Sequence, residues 1–146
     1  MAYLVSDEFP EADLLKLMKM CLIHDLGEAF TGDIPAFEKT VKDSEKEADV
    51  LGEWVKTLPE PFDKEMAELY QEMEAQQTLE SRIYKALDKL EALIQHNESD
   101  IKTWIPREYN LQMTYGNEQV KFSDYLTELR EQVRADSVRK IEKSVH

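Results

Sequence analysis

The sequence predicts an all-α fold, a single-domain helical bundle, and three observations carry that prediction. Only four glycines and five prolines punctuate 146 residues. Apolar residues recur at spacings of three and four, the period of a helix with one buried face, and no stretch alternates as a strand does. The 42% hydrophobic content, over this length, fills one core and needs no second domain.

Met1 to Ser6 reads as the last turns of a helix whose beginning lies outside the sequence, and Pro10 then precedes the first complete helix. That helix is expected over residues 11–27, with Leu14, Leu17, Met18, Cys21 and Leu22 as its apolar stripe. At about 100° per residue, Asp25 falls near the middle of the stripe and Glu28 lies within about 60° of it, while His24 sits at the edge beside Leu17. Two carboxylates and an imidazole thus stand where leucines would serve packing. An unpaired buried carboxylate is costly or takes up a proton, so this position calls for a cation, a donor network or water. A divalent metal is the simplest remedy. Adjacent helical residues point about 100° apart, so His24 and Asp25 approach one ion from neighbouring sides and further ligands must come from other helices. A His-Asp pair alone is a common accident, and Asp25-Leu26-Gly27 also reads as a plain helix end. The continuation sharpens the pattern, because Glu28 is followed by the tight turn Thr31-Gly32-Asp33-Ile34-Pro35 with its further acid.

A long, charge-rich helix is expected over residues 36–58, with Phe37, Val41, Ala48, Leu51, Trp54 and Val55 as its apolar face. Pro59-Glu60-Pro61 breaks it, and Phe62 to Gln76 resumes with Phe62, Met66, Leu69, Tyr70 and Met73 spaced for packing. Thr78 and Ser81 open the next helix, where Ile83, Leu87, Leu90 and Ile94 form a stripe. Asp88 is off that stripe and, by periodicity alone, is an exposed acid paired with Lys85 or Lys89. His96 reads as a surface histidine near the helix end, too far along the helix from Asp88 to share an ion. Residues 99–106 form a loop or short helix that Trp104 anchors, and 109–115 is weakly helical. Gly116-Asn117 is a turn, and Phe122 to Val138 is a final helix carrying Tyr125, Leu126, Leu129 and Val133, with Arg130, Arg134, Arg139 and Lys140 at the surface. His146, at the extreme C-terminus, is expected to be disordered.

The stretch His24-Asp25-Leu26-Gly27-Glu28 with Thr31-Gly32-Asp33-Ile34-Pro35 resembles the signature of HD-domain metal-dependent phosphohydrolases, in the branch similar to 5'-deoxynucleotidases. Lys85-Ala86-Leu87-Asp88-Lys89-Leu90-Glu91-Ala92-Leu93 resembles that family's second metal-binding helix, so the resemblance covers at least residues 11–106. It implies His24, Asp25 and Asp88 as metal ligands. It also implies Glu28 as the residue that orients water or relays its proton, and Asp33 as general acid, general base or partner of a sugar hydroxyl. Mixed nitrogen and oxygen ligation suits Mn, Co, Fe, Zn or Ni. The implied substrate is a small molecule, a deoxyribonucleoside 5'-monophosphate. In the family an earlier helix supplies a first metal-binding histidine and a nearby arginine for the phosphate. This sequence has no histidine before His24, so residues 1–146 are expected to be an N-terminally incomplete HD domain. A noncatalytic helical assembly module built on the same scaffold is the alternative, and hydrolysis of a guanosine alarmone is a third reading.

The formal charge of −13 argues against nucleic acid or an anionic membrane as partner, and an anionic small substrate needs local positive charge or a metal. Cys21 is the only cysteine, which excludes an intrachain disulfide and fits a cytoplasmic setting, and no apolar run reaches transmembrane length. Tyr3, Leu4 and Val5 are expected to be exposed for want of earlier neighbours, and a homodimer is expected to cover them.

Overall fold

The computed structural model describes residues 1–34 and 39–144. Among these every regular element is helical, as the sequence predicts: α1 (Ala2–Val5), α2 (Leu14–Ile23), α3 (Glu28–Thr31), α4 (Val41–Val55), α5 (Phe62–Ala75), α6 (Leu79–Glu98), a short 3-10 turn (Ile101–Thr103), α7 (Pro106–Thr114), α8 (Asn117–Val120) and α9 (Asp124–Ser144). The readings placed on Pro35, Phe37 and His146 lie outside the described residues.

The bundle is built around α6, against which α2, α5, α8 and α9 pack. Ile83, Ala86, Leu87 and Leu90 of α6 meet Leu17 and Met20 of α2, Met73 of α5, Val120 of α8 and Leu126 of α9 in one core. Each such large side chain contributes about 1.5–3 kcal/mol by leaving water. The core takes Leu93 in place of the expected Ile94, and it takes Val5, which is fully buried while Tyr3 and Leu4 are exposed as expected.

The first complete helix is shorter than its pattern. Asp13 caps α2, its carboxylate accepting the Lys16 N–H at 2.9 Å, and the helix ends at Ile23. Leu14, Leu15, Leu17, Met18, Met20, Cys21 and Leu22 cover so wide an arc that periodicity does not fix the buried face. Leu17 and Met20 enter the core, whereas Leu15, Met18 and Leu22 face outward. The chain then turns through 24–27 into α3, and Asp25 comes out exposed, with 61% of its side chain accessible. The expected burial of Asp25 is therefore corrected, because the helix stops before reaching it. Thr40 starts α4 with a capping box to Asp43, five residues later than the pattern implied, and Val41 and Phe62 are exposed.

The C-terminal half is tied by polar side chains reaching across the chain. Glu8 accepts the Asp124 N–H at 2.7 Å and the Ser123 hydroxyl, closing the start of α9. Glu80, on α6, accepts the Asp13 N–H at 2.7 Å and lies 3.5 Å from Lys16 Nζ. Arg130, read as a surface residue, is 1% exposed: its Nε donates to the Tyr115 carbonyl at 2.9 Å and its Nη2 to the Gln112 carbonyl at 2.8 Å. A buried guanidinium is tolerated there because it meets the negative end of α7. Lys140 likewise donates to the carbonyls of Asn97 and Ser99 at the C-terminal end of α6. The weakly helical 109–115 is part of a full helix, α7, started by Pro106 and by Glu108 accepting the Ile105 N–H at 2.8 Å.

Candidate functional site

His24 stands at the C-terminal end of α2, and two backbone contacts fix it there. Its Nδ1 lies 2.8 Å from the Cys21 carbonyl, which accepts a hydrogen bond from the Nδ1–H. The neutral ring is thereby held in the tautomer whose lone pair is on Nε2. One residue earlier, the Ile23 carbonyl accepts the Tyr70 hydroxyl of α5 at 2.8 Å, so the helix end is tied to a second element. Burial of Tyr70 pushes its phenol up to about 12, so it stays a donor.

The Nε2 face meets carboxylates from two elements. Asp25 Oδ2 is 3.0 Å away and Asp88 Oδ1 is 3.7 Å away. Asp88 comes from the middle of α6, and its other oxygen is 2.8 Å from Lys85 Nζ. Asp88 pairs with Lys85, as the wheel implied, and its other oxygen approaches His24. It is not an exposed acid, since three-quarters of its side chain is covered. The hydrogen bond to Asp25 is the main reason the His24 imidazolium is held above its ordinary range, and the same bond lowers Asp25.

These donors suit a divalent ion in type. Two ligand atoms about 2.1 Å from one metal stand about 3.0–3.4 Å apart at right or tetrahedral angles; the Asp25 separation of 3.0 Å meets that span and the Asp88 separation of 3.7 Å exceeds it. Among the described residues, no three His, Cys, Asp or Glu side chains stand close enough together to hold a metal ion.

Glu28 opens α3 beside this group, with most of its side chain covered. Burial first, then repulsion from Asp25 and Asp33, holds its carboxyl above the ordinary carboxylate value, against the pull of Lys39. Lys39 Nζ spans the two sides, 3.6 Å from Glu28 and 2.6 Å from Glu47 of α4. Glu47 lies directly over Gly27, where an added Cβ would stand 2.6 Å from its Cγ, so the Glu47 side chain rests against the turn only while residue 27 has no side chain of its own. Asp33 follows Gly32, whose φ of 84° turns the chain, and is exposed.

His24 opens onto a cleft of about 750 Å³ between α4, α5 and α6, lined also by Lys39, Glu47, Tyr70, Tyr84 and Lys85. Tyr70, Tyr84, Lys39 and Lys85 were not legible as site residues; only the i,i+3 spacing of Lys85 from Asp88 hinted at the last. A second cavity of about 200 Å³ lies at the far end of α6, beside His96 and Gln112. There His96 is stacked on Trp104 at 4.3 Å between ring centres, has Nδ1 2.6 Å from Gln112 Nε2, and has Nε2 3.2 Å from Glu108. It is a packing histidine, not the surface one expected, and Trp104 anchors this end as expected.

Residues 1–130 match the family model described as HD domain. The chain is similar to 5'-deoxynucleotidase HDDC2 of Dictyostelium discoideum, 35% identical over 97 residues that make up 65% of this chain and 51% of the relative. It is also similar to the proteins of that name from Bos taurus and Homo sapiens, each 30% identical over 100 residues, 67% of this chain and 48% of the relative. The chain spans about half the length of the curated relatives it matches. No solved structure matches it significantly.

Proposed function

Since the chain belongs to the HD-domain family of phosphohydrolases, we propose that it releases phosphate from nucleoside 5'-monophosphates, deoxynucleotides among them, with a divalent metal held by His24, Asp25 and Asp88. The observation that carries this reading is the Nε2 of His24, a residue lining the cleft, its tautomer set by the Cys21 carbonyl, facing one carboxylate from the turn after α2 and one from α6. HD domains typically bind divalent metals. Such an ion, when bound, polarises a phosphoryl oxygen and lowers the pKa of water; Mn, Co, Fe, Zn and Ni all suit the donors.

The chain's own residues supply the rest. Glu28, a largely covered carboxylate beside Asp25, takes the proton as water attacks phosphorus, and the ester oxygen leaves with a proton from Asp33 or solvent. Asp33 serves as a second acid or base, or as the partner of a sugar hydroxyl. The deoxyribonucleotide class is supported by the name 5'-deoxynucleotidase carried by the relatives. No described helix is long and apolar enough to cross a membrane. The lone cysteine fits a cytoplasmic setting. A homodimer is supported by the outward apolar side chains Tyr3, Leu4, Leu15, Met18 and Leu22; a sharp monomer mass in light scattering would count against it.

A second reading, a noncatalytic helical assembly module, is favoured by the exposure of Asp25 and by the same apolar side chains. One experiment separates the two: elemental analysis, with phosphate release from the four deoxynucleoside 5'-monophosphates with and without added Mn or Co. Bound metal and metal-dependent release support the hydrolase. Neither metal nor release leaves the assembly module.

A further inference from the structure

The His24 cleft has to admit a phosphate dianion in a chain of formal charge −13, and its own walls include Asp63, Glu47 and Glu74. Some cation in that cleft must receive the anion, because the chain's overall charge and these three carboxylates repel it and its entry costs desolvation. Four lysines line it: Lys39, Lys56, Lys64 and Lys85. They are not equivalent.

Lys56 and Lys64 are largely exposed and form short-range pairs with Glu53 and Glu60 on their own stretches of chain. Pairs of that kind are weak and screened. Lys39 is held between two carboxylates, Glu28 and Glu47, so its charge is already answered. Lys85 is different on three counts. Its side chain is largely covered, its ammonium is 2.8 Å from Asp88 Oδ2 with no second carboxylate in ion-pair contact among the described residues, and Asp88 Oδ1 is 3.7 Å from His24 Nε2. The Lys85 charge therefore stands one carboxylate away from the imidazole, on the wall of the same cleft.

We propose that Lys85 is the phosphate-binding cation of the His24 cleft, a substrate-positioning residue that holds the phosphoryl oxygens beside Asp88 and His24. The proposal rests on the hydrolase reading for the identity of its substrate, and on geometry alone for the anion site. A lysine acts there as a compact point charge with three donors, which suits a phosphoryl group that must be held at one edge while the opposite edge reacts. When Asp88 engages another cation, the ammonium that neutralised it is the one free to meet the anion.

The test uses the full chain and inorganic phosphate as the probe, in the presence of Mn, with binding followed by calorimetry. Lys85→Met and Lys85→Arg are compared with wild type, and unfolding midpoints establish that both variants fold. The expected result is phosphate binding by wild type, weakened at least tenfold by K85M and largely restored by K85R. In phosphate release from deoxynucleoside monophosphates, K85M should raise KM at least tenfold with a smaller change in kcat. Equal phosphate affinity in wild type and K85M, or no phosphate binding by wild type, overturns the proposal. Phosphate binding that K85M abolishes in a chain that hydrolyses no monophosphate upholds the anion site and removes the hydrolase reading. Hydrolysis with a KM unchanged in K85M does the reverse.

Discussion

Removing a single oxygen from Tyr70 probes how the fold presents His24. The hydroxyl donates at 2.8 Å to the carbonyl of Ile23, the last residue of α2, one of the four carbonyls that a helix leaves unpaired at its C-terminal end. Tyr70→Phe keeps the ring against its neighbours and leaves that carbonyl with one donor in place of two, the Leu26 N–H at 3.1 Å. Because the acceptor keeps a partner, the loss is that of one ordinary hydrogen bond, about 0.5–1.5 kcal/mol. For a domain of this size about 1 kcal/mol moves the midpoint by about 4 °C, so Y70F should unfold about 2–6 °C below wild type. The phenol's pKa of about 12 keeps the donor protonated through the working range, and the deficit should be the same at pH 6 and pH 8. The assay is thermal unfolding followed by circular dichroism at both pH values, with Mn affinity measured alongside. Freed from Tyr70, the turn that carries His24 should also bind the ion more weakly. An unchanged midpoint together with unchanged metal affinity would refute the claim that this bond positions the imidazole.

Gly27→Ala drives a methyl group into Glu47 Cγ, 2.6 Å from the ideal Cβ position. The overpacking should cost about 1–3 kcal/mol in urea unfolding and part Glu47 from Lys39; an unaltered midpoint would mean that Glu47 moves aside freely. Glu80 gives the fold an acid-sensitive tie. Burial pushes its carboxyl up, yet the Asp13 N–H and Lys16 outweigh that, and its pKa lies below the ordinary 4.5. Its contribution is present above pH 4.5 and is lost as pH falls through the lower folded value, so Glu80→Gln should flatten the stability profile on that acid side, and a profile identical to wild type would contradict it. Arg130→Lys keeps the charge but cannot reach both the Gln112 and Tyr115 carbonyls, and should destabilise by about 2–3 kcal/mol in the same urea assay; wild-type stability would show that the fork is dispensable.

What was legible in the sequence depended on how local its cause was. The start of α6 was, because Thr78 accepts the Ser81 N–H three residues on and a narrow stripe follows at once. The face and the end of α2 were not, because its apolar residues wrap most of the helix and the local end signal, Asp25-Leu26-Gly27, comes only after the true stop at Ile23. Asp25 was placed inside for that reason, and tertiary structure put it outside. Asp88 looked like an ordinary partner of Lys85 because it is one; its reach to His24 depends on α2 crossing α6, which no spacing within α6 reveals. Glu8 and Glu80 cap elements far away in sequence, so their roles leave no short-range trace. Arg130 did leave one, since it sits one turn after Leu126 and just before Val133 on the buried side of α9. Its charge masked the periodicity, and the carbonyls that make its burial tolerable belong to another helix.

The most direct test of the central claim is titration of Mn into the metal-stripped chain and into its Asp88→Ala variant. One ion should bind per wild-type chain, and the variant should lose at least about tenfold in affinity, the least that removing a donor should cost when disturbing its outer partners already costs as much. Equal affinity in the two chains, or no ion bound by wild type, would contradict a metal held between His24, Asp25 and Asp88.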